Sequence, residues 1–157
     1  MAELTTEQVW KAIGENMFAV LGMVTAKNEP RTVGIVYVAH DYELYIASKS
    51  DAWKVRHLAQ NPHVSLTVAI PKRVPLMPWI KVPAATITFG GTAMVVPAQA
   101  LDSAIARLLF RVENGPAPEG ASAIIVEPKG EFVTYGIGVS LMEMRDTVKA
   151  RGRAPVS

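Results

Sequence analysis

The sequence predicts a mainly β fold: an antiparallel barrel, closed or partly closed, with two or three peripheral helices. Three observations carry this. From Met17 onward, short runs rich in Val, Ile, Thr, Tyr and Phe are separated by turn residues. Residues 16–70 contain two consecutive hairpins of this kind. Half of the 157 residues are apolar and 19% are charged, which excludes disorder and supplies one domain with a full core.

Each element has its own signal. Thr5 or Thr6 caps a first helix that runs to about Glu15, with Gly14 marking its end and Val9, Ala12 and Ile13 on its apolar face. Met17 to Thr25 is an apolar strand, and Lys27-Asn28-Glu29-Pro30 is a turn. Arg31 to Ala39 is the second strand, His40-Asp41 the next turn and Tyr42 to Ser48 the third strand. Asp51 to Gln60 is helical, with Ala52, Val55 and Ala59 facing inward, and Pro62 stops what precedes it. Val64 to Ile70 is a fourth strand.

Residues 71–83 then hold Pro71, Pro75, Pro78 and Pro83 with Leu76, Met77, Trp79 and Ile80 between them. A loop this apolar is expected to pack on something, either a cofactor rim or a second subunit. Ala84 to Val96 is a long fifth strand. Pro97 opens a helix to about Val112 with Leu101, Ile105, Leu108 and Leu109 as its stripe. Ser122 to Val126 and Glu131 to Tyr135 supply the last strand material. From about residue 137 the tail has no clear periodicity, and the whole chain reads as a single domain, 1–157.

Several function classes drop out. The formal charge is +2 and no block of like charges marks a nucleic-acid surface. There is no cysteine, which removes thiolate nucleophiles, disulfides and cysteine metal sites and fits a reducing compartment. The acidic, polar start is no signal peptide, and the uncharged stretch 82–101 is interrupted by Pro83, Gly90, Gly91 and Pro97, so no membrane association is expected and the protein reads as cytoplasmic. His40, His57 and His63 are scattered, without metal-ligand spacing. His57 reads as a surface residue rather than an acid or base.

The chemistry-bearing stretch is Ser48-Lys49-Ser50 followed by a helix carrying Lys54. A strand end delivers a hydroxyl and a cation, and the next helix offers free N–H groups and the positive end of its dipole. This is how a phosphate is held. Between residues 30 and 96 there are seven cations (Arg31, Lys49, Lys54, Arg56, Lys72, Arg73, Lys81) against three acids (Asp41, Glu43, Asp51). An anionic ligand with a phosphate explains that imbalance better than a polyanion.

The same stretch resembles the pyridoxamine 5′-phosphate oxidase-like flavin-binding split barrels. The carrying residues are Pro30 to Val38, Leu44-Tyr45-Ile46-Ala47-Ser48, Trp53-Lys54, Asn61-Pro62 and Ala85 to Thr92. The resemblance implies a six-stranded antiparallel split barrel of Greek-key type, paired as a homodimer, with FMN at the subunit interface. It implies that Ser48, Lys49 and Lys54 meet the flavin phosphate, with Trp53 beside them. It implies that Thr32, Val33, Gly34 and Tyr37 run beside the flavin, and that Thr86 falls where some relatives direct a glutamine at it. Arg145, in the C-terminal part, is expected to reach the flavin of the other subunit. Two positions depart from the family. Trp53 stands where arginine is common, so a bidentate phosphate contact is missing. Tyr37 stands where many relatives have a lysine. The implied activity is that of an FMN-dependent oxidoreductase acting on a small-molecule substrate. The alternatives are a flavin- or haem-binding module without turnover, and a reductase that uses the deazaflavin F420.

Overall fold

The computed structural model describes residues 1–157. Its elements are β1 (Ala2–Glu3), α1 (Thr6–Gly14), β2 (Phe18–Val24), β3 (Pro30–Val36), β4 (Val38–His40), β5 (Glu43–Lys49), α2 (Trp53–Gln60), β6 (His63–Ile70), β7 (Ala85–Pro97), α3 (Ser103–Phe110), β8 (Ala121–Tyr135), α4 (Thr147–Ala150) and β9 (Arg151–Pro155). The mainly β character expected from the sequence holds, and no helix is long and apolar enough to cross a membrane.

Strand count and closure differ from the expectation. Nine strands, not six, form one sheet. Its hydrogen-bonded path runs β1-β9-β8-β7-β6-β2-β3 and stays open, while β5 pairs with β8 and β4 with β5. The sheet is mixed, because β1 lies parallel to β9. One cause is Tyr37, which interrupts the expected strand 31–39. Its N–H still donates to the Met17 carbonyl at 2.9 Å, in register with β2, and the strand changes partner just after it. Pro30–Val36 therefore pairs with β2, and Val38–His40 pairs with β5. The other cause is the tail. Gly152 and Ala154 are buried, and β9 pairs with both β1 and β8.

Local chemistry explains most boundaries. The Thr5 hydroxyl accepts from the Gln8 N–H while the Gln8 side chain accepts from the Thr5 N–H, a reciprocal cap that starts α1. Asp41 and Tyr42 both take positive φ, 48° and 61°, so the β4–β5 turn sits one residue later than expected. The Tyr42 ring packs edge-on against Trp10 at 5.3 Å, which holds a bulky residue in that conformation. Pro97 is followed by one tight turn, and α3 starts only at Ser103, where the Asp102 carboxylate accepts from the Ala104 N–H.

The core lies between the sheet and helices α1 and α2. Leu21, Leu44, Leu66, Val68, Ile87, Ile124 and Phe132 are fully buried in it. Each such side chain stabilises the fold by about 1.5–3 kcal/mol relative to an exposed one. Val9 and Ile13 enter from α1, and Val55 and Leu58 from α2. Leu58, not Ala59, takes the second inward position of α2; both share a face with Val55, and the larger apolar side chain is the one buried. Phe132 bridges Phe89 and Trp10 with edge-on rings at 5.3 and 5.4 Å, tying β8 to β7 and α1.

Candidate functional site

A cleft of about 480 Å³ opens where β3 ends, at the break before β4. Gly34 and Tyr37 lie along one wall, and Lys54 brings the first turn of α2 to it. Its volume falls in the range of small-molecule sites, about 300–1,000 Å³. These three residues are the part of the sequence-derived set that the structure brings together.

Two cations border the cleft, Lys54 and Arg111, and no acid lines it. Arg111 follows α3 and takes a positive φ of 54°, which ends that helix. Helix α2 has Ala52 at its N-cap and no side chain there accepts from its N–H groups. Those donors stay open, and such helix starts can hold an anion. Strand β3 ends the hydrogen-bonded path, so its outer edge has no partner strand. Backbone N–H and C=O groups are thus available along one wall of the cleft. The rim is apolar and open: Met17, Val36 and Leu108 border the cleft, and all three are mostly exposed, Leu108 at 63%.

The remaining expected residues are placed elsewhere. The Ser48 hydroxyl donates to the neighbouring Lys49 carbonyl at 3.2 Å, and neither residue lines the cleft. Trp53 is partly exposed and its ring meets His57 edge-on at 5.8 Å. Thr32 borders a separate shallow groove with Gly22, His63 and Ser65, while Val33 packs toward the core. Thr86 sits half-buried in β7, opposite Ala69 and Tyr135. Arg145 lines a second cleft with Lys81.

The Tyr37 side chain has a structural part. Its side chain is 2% exposed, and its hydroxyl donates to the Ile13 carbonyl at 2.7 Å. Burial pushes the phenol well above its ordinary range. The side chain is a core tie to α1, and only the backbone of residue 37 is left to face the cleft. Gly34 also reads differently. The ring that approaches it is Phe18, whose Cε2 lies 3.0 Å from where a Cβ would stand. The proline-rich loop 71–83 does not border this cleft at all. Leu76 is 94% and Trp79 74% exposed, so within one chain the loop tip packs on nothing.

Sequence reasoning missed Arg111 and the apolar rim. The available signal was α3 itself: Leu108, Leu109 and Phe110 make it too apolar for a helix that buries only Ile105.

A family model described as pyridoxamine 5′-phosphate oxidase matches residues 5–134. The chain belongs to the pyridoxamine 5′-phosphate oxidase family. Solved structures of similar fold include a Listeria innocua protein named for that oxidase, 15% identical, with a TM-score of 0.62 over 78% of this chain and 92% of that one. A heme binding protein from Mycobacterium smegmatis is 14% identical with a TM-score of 0.66; the match covers 96% of this chain and 57% of that one. A protein named F420 reductase is 17% identical with a TM-score of 0.53, over 78% of this chain and 94% of that one. At these identities the likeness is one of fold. No curated protein sequence matches the chain.

Proposed function

We propose that the protein is an FMN-dependent oxidoreductase of the pyridoxamine 5′-phosphate oxidase family, with FMN held in the Lys54 cleft. The observation that carries this reading is the cleft itself: two cations, an uncapped helix start and a free strand edge converge on one opening. The chemistry of these groups fits the cofactor. Lys54 and the α2 N–H groups suit a phosphate, with Arg111 as a second cation. The outer edge of β3, from Gly34 to Val36, suits the hydrogen-bonding end of the isoalloxazine ring. When bound, FMN supplies the redox chemistry. The chain's residues hold the phosphate, orient the ring and exclude water from it.

In this reading the sheet is the split barrel of Greek-key type that the family resemblance implies. Two copies pair over the cleft and cover Met17, Val36 and Leu108, whose exposure is otherwise costly.

A deazaflavin such as F420 is the second reading, favoured by the missing arginine at Trp53 and by the fold shared with a protein named F420 reductase. Haem fits less well, because none of the three histidines lines the cleft. The absorption spectrum of the purified protein, with mass analysis of the released cofactor, tests the proposal. FMN is the expected species. Release of F420 or haem in stoichiometric amount would replace the reading.

A further inference from the structure

The second cleft encloses about 630 Å³ and lies away from the Lys54 site, with no lining residue in common. One wall comes from the proline-rich loop, through Val74, Ile80 and Val82. The other comes from the tail, through Leu141, Met142 and Met144. Lys81 and Arg145 are its charged lining residues, and both are cationic.

Neither cation has a partner. Four ion pairs occur in the structure, and none involves Lys81 or Arg145. The loop 71–84 contributes Lys72, Arg73 and Lys81 and no acid. The nearby acids of the tail are engaged. The Glu143 carboxylate accepts from the Ser140 N–H and donor hydroxyl, both at 2.8 Å, which also holds its pKa below the usual carboxylate range. The Asp146 carboxylate accepts from the Val148 and Lys149 N–H groups. No carboxylate forms an ion pair with either cation at this apolar cleft.

The walls are fixed in place. The Tyr135 hydroxyl donates to the Met144 carbonyl at 2.7 Å, and the Gly136 N–H donates to the Ala150 carbonyl at 2.8 Å. Gly136 has a φ of 74°, a conformation that favours glycine, and the terminal methyl of Met144 lies 2.6 Å from where a Cβ would stand. Met144 is buried and lines the cleft. On the other side, four prolines between 71 and 83 limit the freedom of the loop.

We propose that this cleft binds an amphipathic organic anion: an apolar body of roughly naphthalene size lodged against Val82, Leu141 and Met144, and one anionic head between Lys81 and Arg145. The occupant is a small molecule distinct from the cofactor. This gives Arg145 a role other than reaching a second chain's flavin.

The test uses the full-length protein and two fluorescent probes of similar apolar body, anilinonaphthalene sulfonate and the uncharged phenylnaphthylamine. Backbone amide shift mapping locates each of them. The sulfonate probe is expected to saturate one site per chain and to bind about tenfold tighter than the uncharged one. Its shifts centre on residues 74–82 and 141–145, and saturating FMN does not displace it. Replacing Lys81→Met and Arg145→Met together abolishes the preference for the anion and leaves the uncharged probe's affinity in place. Equal affinity for both probes, shifts centred on the Lys54 cleft, or the lack of a saturable site would overturn the proposal. Displacement by FMN would overturn it too, and would return Arg145 to the cofactor site. The mapping is done on the unaltered chain, so a variant that fails to fold does not shelter the idea.

Discussion

Replacing Tyr37 by phenylalanine separates a structural role from a cofactor role at one atom. The Tyr37 hydroxyl is buried and donates to the Ile13 carbonyl at 2.7 Å, joining the β3–β4 break to the end of α1. Phenylalanine keeps the ring and removes only that bond. Stranding a buried acceptor costs about 1–3 kcal/mol. Here the Ile13 carbonyl also accepts from the Asn16 N–H at 3.2 Å, so it is not stranded. The expected loss is therefore the ordinary net value of about 0.5–1.5 kcal/mol. For a chain of this size that lowers the melting temperature by roughly 1–6 °C. FMN affinity should change by less than about twofold, under 0.5 kcal/mol. Calorimetric melting and a flavin fluorescence titration read the two quantities separately. Unchanged stability with a large loss of flavin would refute the reasoning, because the hydroxyl would then belong to the site and not to the core.

Other outcomes follow from the same geometry. Val36→Glu puts a charge on the apolar rim and should leave a monomer by light scattering; a variant that keeps the wild-type assembly would remove this face as the subunit contact. Gly91→Ala would bring a Cβ against the Glu127 carbonyl and within 3.2 Å of the Pro128 Cα, so the β7–β8 ladder must shift. Such overpacking costs about 1–3 kcal/mol, and an unchanged denaturation midpoint would contradict it. At alkaline pH the folded state should weaken. Burial, then the Glu43 hydrogen bond and charge, push the Tyr45 phenol up to about 12, and burial raises Tyr37 as well. Both hold their protons more tightly when folded, so stability is full below about pH 10 and falls as pH rises beyond it, by up to about 1.4 kcal/mol per pH unit per phenol. Flat stability between pH 10 and 12 would show that these phenols ionise without opening the fold.

Much of the strand ladder was legible because burial alternates with period two in β2, β6 and β7. The break at Tyr37 was not, since the run from Arg31 to Ala39 is uniformly strand-like; residue 37 still bonds Met17 in the β2 register, and the change of partner to β5 at Val38 is decided in three dimensions. The tail failed for a similar reason. Strand β9 has only five residues, and its partners are at Ala2–Glu3 and Glu131–Tyr135, far away in the chain. At the site, Lys54 was readable from its place at the start of a helix. Arg111 was not, because it reaches the cleft only through the packing of α3 near β4 and β5. The Ser48 expectation came from sequence order and from the family resemblance, which say where a hydroxyl lies along the strand but not which carbonyl it finds first.

The most direct test of FMN in the Lys54 cleft is a paired titration with FMN and riboflavin, which differ by the phosphate, on the native protein and on Lys54→Ala. Hydrogen bonds to a charged group contribute about 1.5–3 kcal/mol, so FMN should bind the native protein roughly 10- to 150-fold tighter than riboflavin. In Lys54→Ala most of that difference should vanish while riboflavin affinity stays put. Equal affinities for the two ligands in the native protein, or equal losses for both in the variant, would contradict a phosphate site at Lys54.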